Sequence, residues 1–518
     1  MGPPRWGMVC ALLCCAVDAC SSSSSDSLSA AGTGSGGYAA IGGGGRGGRG
    51  GRGGSAGGAA GSGRDGSAGS GGAGGSTGSG AAGSGGSDAG TGCNPEAIPG
   101  AGVFVSPGGS DATGDGSIDA PVATIARGLE IAATKGESTV YLAQGTYAES
   151  VRFFARHAGI FIEGGWSHAS AGWTRDCSSE ARKKTWIVSP TAIGVQVDQI
   201  AERSGLRSLS VATKALGKTA ADSAGESLYG VHVSGANTLF SLEDVAIEAG
   251  DAGDGGPATA GSAGPKANCT DLPAQCGDGA HGVTGTDGSP ASAGTFSASG
   301  YVAGDGHQGK PGGAGKNGHP GIAGQSASCY LQEGCRCDAA SSSCAATGTR
   351  GTKQAAPGAC GCGGDGGNGG AAGRGGGASI GIYASGSGVI VSVTSSAIGA
   401  GNGGAGSAGA AGGAGAAGRV GTKGQAASCA VDCVKGGSSC DYGCTQAIAM
   451  LAGGEAGSTG GNGAAGGRGS DGAGGPSYAV VPIEGASVIA SDSTLTHGTS
   501  GRGAGSAPAG LSGDRFSP

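Results

Sequence analysis

The stretch YGVHVSGANTLFSLEDVAIEAG, from Tyr229 to Gly250, contains the pattern on which the rest of the chain is built. Apolar and polar residues alternate in 230–233 and again in 239–247, which is the period of a strand with one buried face. The same layout returns at 193–211, 381–401 and 478–498. A strand pair that recurs with variable material between its copies predicts a solenoid whose coils stack and share one core.

Glycine dominates the composition and limits how much of the chain can form a core. The 518 residues include 126 glycines and 18 prolines, while aromatic residues make up 4% and charged residues 13%. An aperiodic chain of this composition is typically disordered, so folding depends on whether the glycines recur at regular positions. The net charge of -7 gives no reason to expect a nucleic-acid partner.

The first 20 residues have the layout of an export signal. Arg5 is followed by an apolar run from Met8 to Val17, which is too short to span a membrane as a helix. The sequence Val17-Asp18-Ala19-Cys20 resembles the lipobox of bacterial lipoproteins, although Asp18 replaces the usual small or hydroxyl residue. The resemblance implies that Cys20 is acylated and anchors the protein at the outer membrane or cell surface. The alternative is an ordinary cleaved signal and a secreted protein.

Residues 21–92 consist mostly of Gly, Ser and Ala, and they cannot bury enough apolar surface to offset the entropy of ordering them. We therefore expect a flexible tether. The run RGGRGGRGG at 46–54 has the arginine spacing of some RNA-binding segments. Outside the cytoplasm, a solvated linker is the better interpretation.

The cysteines beyond Cys20 fall in even groups, which favours disulfides in an exported chain. Cys93 is grouped with Cys177, Cys269 with Cys276, six cysteines lie in 329–362, and four lie in 429–444. The spacings do not match a structural zinc site. The disulfide candidates are Cys93, Cys177, Cys269, Cys276, Cys329, Cys335, Cys337, Cys344, Cys360, Cys362, Cys429, Cys433, Cys440 and Cys444.

The run VFVSPGGSDATGDGSIDAPVATIARGLEIAATKGESTVYLAQGTYAESV, from Val103 to Val151, has the order strand, acidic loop, helix and further short strands. Apolar residues at helical spacing predict a helix over 121–134, with Asp119 and Pro121 as start signals and Gly136 as the stop. The run closely resembles the opening module of right-handed parallel β-helix proteins of the pectin-lyase-like kind. The resemblance implies that the helix covers the open end of the β-helix. It further implies that a Cys93–Cys177 disulfide staples this cap to the first coils.

Two long excursions separate the later coils, and glycine recurs at every third position inside them. The repeats run from Gly306 to Gly324, from Gly403 to Gly424 and from Gly454 to Gly475. A three-residue glycine period fits an extended helix of the polyproline II type, in which every glycine lies on one edge and neighbouring segments can approach closely. The proline content is too low for collagen. The alternatives are an ordered bundle of such helices braced by disulfides, which we favour because disorder need not keep a strict period, and disordered loops.

The tracts GGDGGNGGAAGRGG and GAGNGGAGSAGAAGGAG resemble the repeats of mycobacterial PE-PGRS proteins, without their PE domain. The bundle itself is similar to the snow-flea antifreeze fold and to some phage tip adhesins. The predicted fold class is therefore an all-β solenoid, a right-handed parallel β-helix with an N-terminal capping helix and glycine-rich polyproline II-type (polyglycine II) insertions.

These features divide the chain into a series of predicted segments. The signal covers 1–20, the tether 21–92, and the cap with the first coils 93–249. Glycine-rich insertions occupy 250–378 and 400–477, a single coil lies between them at 379–399, and the last coil with a tail follows at 478–518.

The one dense acidic cluster, Asp111, Asp115 and Asp119, is the candidate metal site. Its spacing partly matches a calcium loop, with Gly116 at the turn, but Val122 replaces the bidentate Glu, so a capping turn is the better interpretation. Acidic residues in the predicted coils, including Glu243, Asp244, Glu484 and Asp492, show no repeated position in the sequence. No catalytic residue and no cofactor is assigned, and calcium is the one metal considered.

The sequence favours a non-catalytic, lipid-anchored surface protein that acts by structure, adhesion or binding. Its expected partners are the membrane, through the anchor, and a polysaccharide or another surface protein, and the chain is expected to be a monomer. The alternative is a carbohydrate-active β-helix enzyme, either a polysaccharide lyase or a glycoside hydrolase, because β-helix enzymes of the family that the opening module resembles use clustered carboxylates, often with calcium.

Overall fold

The computed structural model describes residues 100–169, 172–215, 217, 219–267, 275–329, 351–428 and 450–517. These residues belong to a compact unit that spans Asp88–Pro518. The predicted signal, the tether, Cys20 and Cys93 lie outside the described residues. Among the described residues, none of the helices combines the length and the apolar character that a membrane crossing requires.

Three sheets of mainly parallel strands form the body of the molecule, and this confirms the all-β solenoid. Sheet A contains, in spatial order, β1 (Val103–Val105), β2 (Thr139–Ala143), β5 (Phe161–Ala169), β9 (Ser204–Arg207), β12 (Leu239–Glu243), β19 (Ile390–Thr394) and β24 (Ser487–Ser491), with β6 (Gly172–Arg175) paired antiparallel to β5. Sheet B contains β3 (Gly145–Tyr147), β7 (Thr185–Val188), β10 (Ser210–Thr213), β13 (Ala246–Ala249), β20 (Ala397–Ala400) and β25 (Thr494–Thr496). Sheet C contains β4 (Val151–Phe153), β8 (Ile193–Asp198), β11 (Leu228–Ser234), β18 (Ser379–Ser385), β23 (Ser477–Ile483) and β26 (Ser512–Arg515).

Each full coil of the β-helix contributes one strand to sheet C, one to sheet A and one to sheet B, in that order. The inward-facing residues of the three strands form a continuous apolar core, in which Val231, Leu242 and Ile247 represent one coil. Their relative exposures are 0%, 0% and 1%. The chain therefore forms β-helix coils at the positions predicted from the sequence. The alternation of apolar residues places one face of each strand in the core.

The number of strands per coil differs from the prediction, because the region expected to be one strand over 239–247 is two strands. The chain turns between them at Asp244, whose φ is 51°. Equivalent corners in the other coils also have positive φ, at Ser208, Ser395 and Asp492. Asp and Ser tolerate this left-handed conformation better than bulky residues, since a short polar side chain can hydrogen-bond locally. Asp244 and Asp492 therefore occupy the same corner in two coils, while Glu243 and Glu484 lie elsewhere in their coils.

The corners stack through backbone hydrogen bonds that run from one coil to the next. The N–H of Ser208 donates to the carbonyl of Glu243 at 3.0 Å, and the N–H of Asp244 donates to that of Thr394 at 3.0 Å. The N–H of Ser395 donates to the carbonyl of Ser491 at 3.2 Å. The positive φ therefore belongs to the fold and requires no functional explanation.

A single α-helix, α1 (Ile125–Lys135), lies at the N-terminal end of the described β-helix. Its buried residues Ile125, Leu129 and Ala132 join the same apolar core as the coils. Gly136, with φ of 73°, ends the helix as predicted. The predicted start at Asp119 and Pro121 is wrong, because Thr124 is the N-cap residue and its side chain accepts the N–H of Arg127. Two short 3₁₀ helices, Ala155–His157 and Ala181–Lys184, follow later.

Both long insertions leave the β-helix from the same corner, between a sheet B strand and the next sheet C strand. The first runs between Ala249 and Ser379, and the second between Ala400 and Ser477. They include three antiparallel ribbons, which are β14 (Thr295–Ser297) with β15 (Gly300–Val302), β16 (Ser326–Cys329) with β17 (Gly351–Gln354), and β21 (Ala427–Ser428) with β22 (Met450–Leu451).

The glycine-rich tracts form an ordered bundle of extended segments. We call it the glycine bundle, and it comprises residues 252–264, 277–288, 303–324, 356–377, 403–424 and 453–475. The segment 303–324 donates to the segment 356–377 once every three residues, through the pairs Gly306 to Gly373, Gly309 to Gly370, Gly312 to Gly367, Gly315 to Gly364, Gly318 to Gly361 and Gly321 to Gly358.

The segment 356–377 lies inside the bundle and has neighbours on several sides. Its Gly364 N–H donates to the carbonyl of Gly461 at 2.9 Å, while Gly413 N–H donates to the carbonyl of Asn368 at 2.7 Å. A Cβ added to Gly367 would lie 2.0 Å from the Gly413 carbonyl oxygen, so glycine is required where the segments meet. The ordered-bundle prediction is confirmed for the described tracts, and the disordered-loop alternative does not apply to them.

One disulfide of the glycine bundle joins Cys276 to Cys360. The sequence grouping placed Cys276 with Cys269, and the structure pairs it across groups instead. Cys177 and Cys362 each take part in a disulfide as well. The predicted Cys93–Cys177 disulfide stays a prediction, since Cys93 lies outside the described residues. The other disulfide candidates outside the described residues are Cys269, Cys335, Cys337, Cys344, Cys429, Cys433, Cys440 and Cys444. Cys329 is described only as a residue of β16.

Candidate functional site

The acidic loop that was the candidate metal site holds the start of α1. Asp111 Oδ1 accepts the backbone N–H groups of Ala123 and Thr124 at 2.8 and 3.1 Å, and its Oδ2 accepts the Thr124 hydroxyl at 2.8 Å. Partial burial opposes the charge on Asp111, but these hydrogen bonds hold its pKa below the usual value. The Glu149 carboxylate accepts the next two N–H groups, those of Ile125 and Ala126. These carboxylates satisfy N–H groups that the helix itself cannot pair.

The other two aspartates of the loop do not join Asp111 in a metal site. Asp115 accepts the N–H of Ser117 at 2.9 Å, and the hydrogen bonds from Ser117 lower the pKa of Asp115. Asp119 is exposed. Among the described residues, no group of three or more His, Cys, Asp or Glu side chains is placed to hold a metal ion. The loop therefore acts as a capping turn, and a calcium site on Asp111, Asp115 and Asp119 has no support in this geometry.

The outer face of sheet A carries a short charged row, formed by Glu163, Arg207 and Glu243. Strand register places these residues side by side on β5, β9 and β12. Arg207 Nε donates to Glu243 Oε2 at 2.8 Å, and Glu163 is paired with Arg175. The Arg207 guanidinium also lies 3.8 Å from the centre of the Phe161 ring. Ion pairs therefore hold all three charges of the row, and the Arg207 guanidinium lies over the Phe161 ring.

The charged row was missed in the sequence because the coils differ in length. Arg207 directly precedes the corner residue Ser208, and Glu243 directly precedes the corner residue Asp244. Aligning the coils on these corners would have placed the two side chains in one row. The signal was present, but it required knowing where each coil turns.

The glycine bundle carries a regular row of small apolar side chains along the segment 403–424, which we call the alanine row. Within this segment, one residue in three donates its N–H toward the segment 356–377, including Ser407, Ala410 and Gly413. Another set, the glycines, faces further bundle neighbours. The remaining set forms the alanine row, whose exposed members are Ala408, Ala411, Ala414, Ala417 and Val420.

A second row lies beside the alanine row, on the segment 252–264. Asp251 and Asp254 accept the N–H groups of Asn402 and Ala405, each at 2.7 Å, so these carboxylates face the same side of the bundle as the alanine row. Continuing in steps of three gives the exposed residues Pro257, Ala260 and Ala263. Together the two rows form a surface of small side chains that repeats about every 9 Å along the segments, with the two carboxylates at one end.

The geometry of the alanine row is fixed by the backbone behind it. The carbonyls of Ala411 and Ala414 accept the N–H groups of Gly261 and Gly264 at 2.9 and 2.8 Å. Within the described part of the chain, the N–H groups of Ala408, Ala411, Ala414 and Ala417 donate no hydrogen bond to protein. The surface therefore presents methyl groups and available N–H donors in one repeating line.

His232 lies on β11, and His497 directly follows β25. His232 lies on the outer face of sheet C and is 7% exposed, with its ring stacked on Tyr383 at 5.1 Å between centroids. Burial lowers the pKa of His232, which keeps the imidazole neutral. His497 Nδ1 lies 2.8 Å from the carbonyl oxygen of Gly498 at the protein surface.

Neither a protein-family model nor a curated protein matches the chain. Among solved structures, the catalytic domain of a GH87 α-1,3-glucanase is similar over 31% of this chain and 28% of its own, at 15% identity and a TM-score of 0.19. The pectin methylesterase PemA from Erwinia chrysanthemi is similar over 28% of this chain and 55% of its own, at 13% identity and a TM-score of 0.14. Likenesses of this extent carry no argument about the chemistry of this chain.

Proposed function

We propose that this protein is a non-catalytic surface protein that binds a polysaccharide through the glycine bundle. The alanine row carries the proposal, because a regularly repeating surface complements a stiff repeating polymer. The β-helix then serves as the scaffold from which the bundle projects. The experiment below identifies which polysaccharide the chain binds.

Three physical properties of the alanine row favour this role. Alanine loses no side-chain rotamer entropy on binding, so each contact costs little ordering. The backbone is held in place by bundle hydrogen bonds, so the surface is already in its binding conformation. Each small contact is weak, but a polymer can engage Ala408, Ala411, Ala414 and Ala417 at once, and linked contacts raise the overall affinity.

The test is co-sedimentation of the whole chain with a panel of insoluble neutral and acidic polysaccharides. The variant that combines Ala411→Glu and Ala414→Glu places two charges in the alanine row. We expect the dissociation constant for the bound polysaccharide to rise about tenfold or more. The matched control combines Ala314→Glu and Ala323→Glu, since both are exposed alanines on the segment 303–324 of the same bundle.

The two variants separate the proposed surface from a general charge effect. Equal loss in both variants would show that charge alone weakens binding, and unchanged binding in the row variant would place the binding surface elsewhere. Failure of the wild-type chain to sediment with any polysaccharide would contradict the proposal itself.

A second candidate function is a carbohydrate-active enzyme, and the charged row Glu163, Arg207 and Glu243 is the observation that favours it. Carboxylates on one sheet face can serve glycoside cleavage. If the chain cleaves a polysaccharide of the panel, Glu243→Gln should abolish the cleavage. Glu248→Gln, which changes an exposed carboxylate on β13, should leave it intact.

We also propose that Cys20 anchors the protein to a bacterial membrane. The support is the lipobox-like sequence and the tether that follows it. Cells expressing the chain should incorporate labelled palmitate, and Cys20→Ser should remove both the label and the membrane association. Release of the unlabelled wild-type protein into the medium would favour an ordinary cleaved signal.

A further inference from the structure

A cavity of about 400 Å³ lies where the first insertion and the C-terminal strand meet the outer face of sheet C. The hairpin β14–β15 supplies Phe296 and Tyr301, strand β23 supplies Tyr478, and Phe516 follows β26. Apart from Thr295 and Glu484, the remaining lining is apolar or backbone. A cavity of this size is in the range of small-molecule sites.

The four aromatic rings of this cavity lie close to one another. The Phe296 centroid is 5.5 Å from Tyr301, 6.2 Å from Tyr478 and 4.6 Å from Phe516. Tyr478 and Phe516 are 5.5 Å apart with their planes at 76°. All four rings line the cavity, and the π faces of aromatic rings attract cations.

The hairpin that closes this cavity is fixed onto sheet C by hydroxyl groups. The Tyr229 hydroxyl accepts the N–H of Tyr301 at 2.8 Å, and the Ser385 hydroxyl donates to the carbonyl of Ala298 at 3.1 Å. Burial raises the pKa of Tyr301 to about 12, so its phenol stays neutral at physiological pH. The hairpin is therefore held in place on sheet C, and Tyr301 contributes no charge to the cavity.

Among the described residues that line the cavity, Glu484 has the one charged side chain. Among the described residues, no ion pair includes Glu484. It sits at a coil corner with φ of 54°, in the position that Gln199 occupies with φ of 55° in an earlier coil. The backbone at this corner thus accepts either a carboxylate or an amide of the same length.

We propose that this cavity is a binding site for a small organic cation, of the quaternary or alkylated ammonium class. The aromatic faces of Phe296, Tyr301, Tyr478 and Phe516 would surround the cationic head, and the Glu484 carboxylate would supply the countercharge. A cation without N–H donors needs no acceptor from the ring faces, which attract its charge through their π electrons.

Titration calorimetry of the whole chain with choline, and with its neutral isostere 3,3-dimethylbutan-1-ol, tests the proposal. We expect choline to bind more tightly than the neutral alcohol by about tenfold. Glu484→Gln should weaken choline binding about fivefold and leave the alcohol unchanged. Phe516→Leu should weaken choline binding by about tenfold, since it removes one π face.

Glu202→Gln is the control, because it removes an exposed carboxylate outside the cavity. It should leave choline binding unchanged. Because Gln199 already occupies the equivalent corner in an earlier coil, we expect Glu484→Gln to fold normally. An unchanged thermal midpoint of unfolding checks this directly. Equal binding of choline and the alcohol, indifference of choline to Glu484→Gln, or no choline binding at all would each overturn the proposal.

Discussion

The β-helix and the glycine bundle belong to one chain, yet they are ordered by different interactions. The β-helix buries branched side chains such as Val231 and Leu242 between its three sheets. The glycine bundle buries almost no large side chains, and its inner segment 356–377 is surrounded by backbone groups that hydrogen-bond one another. Hydrophobic burial stabilises the first region, and close backbone contact stabilises the second.

This contrast predicts opposite responses to a change of one methyl group. In the β-helix, removing carbon atoms from a core residue leaves a cavity, which costs free energy. In the bundle, adding one carbon to a glycine places it closer to a carbonyl oxygen than their van der Waals contact distance allows. The same chain is therefore sensitive to smaller side chains in one region and to larger ones in the other.

The largest effect should follow loss of the Cys276–Cys360 disulfide, whose residues are separated by 84 positions. Closing a loop of this length lowers the entropy of the unfolded chain and stabilises the fold by about 4 kcal/mol. The double variant Cys276→Ser, Cys360→Ser should speed amide exchange at Gly361 and Gly364, and weaken the polyproline II signal in circular dichroism. Core amides such as that of Leu242 should be far less affected. Equal loss of protection in both regions would mean that the disulfide stabilises the β-helix as much as it stabilises the bundle.

The next effect concerns glycine inside the bundle. Gly367→Ala should lower the free energy of unfolding by about 2 kcal/mol, because the new Cβ would meet the Gly413 carbonyl oxygen at 2.0 Å. Gly313→Ala is the matched control, since its Cβ would lie 3.1 Å from the nearest atom, the Val283 nitrogen. Denaturant unfolding of both variants measures the difference. Similar behaviour of the two would show that the segments can separate without cost.

A smaller effect is expected at the corners of the β-helix. Ser395 has φ of 51° and an exposed side chain. Ser395→Val should cost about 1–2 kcal/mol, because a β-branched residue is strained in this conformation, whereas Ser395→Asn should be nearly neutral. Thermal unfolding of the two variants compares them. A tolerated valine would show that the corner backbone can rearrange.

The smallest effect is a pH dependence that comes from buried histidine. Burial lowers the pKa of both His232 and His157 in the folded state. The unfolded chain has the ordinary histidine pKa of about 6.5, so the unfolded state binds more protons below that pH. The stability that comes from these two neutral histidines should therefore be fully present above about pH 6.5 and decline as the pH falls below it.

His232→Phe measures the share of His232 in this pH dependence. The variant keeps an aromatic ring against Tyr383 and removes the titrating group, so the thermal midpoint should fall less between pH 7.5 and pH 5.5 than in the wild type. The residual slope should come from His157. An unchanged slope would assign the pH dependence to other groups.

Much of the β-helix was predictable because its signals are local. Alternating apolar residues gave the coils, and Gly136 gave the end of α1. The third strand of each coil was missed because the corner at Asp244 depends on a single residue in a left-handed conformation, which alternation does not reveal. The charged row was missed for the same reason, since Arg207 and Glu243 align only when the corners are known.

The candidate sites were less predictable than the coils. Asp111 was a metal candidate by spacing, but the proximity of the helix start at Ala123 and Thr124 makes it a cap. The aromatic cavity was not predicted, because Phe296 and Tyr478 are far apart in the sequence and meet only when the hairpin β14–β15 folds back over sheet C.

By itself the sequence determined the period of each region, because side-chain alternation and the three-residue glycine repeat are local properties of the backbone. It thereby determined that one part forms coils and the other extended segments. Tertiary structure decided which segments become neighbours, and so placed Cys276 beside Cys360 and exposed Ala408 to Val420 in one row. The physical reason is that a repeating tract offers many equivalent partners along its length, and only the packing of the whole insertion selects among them.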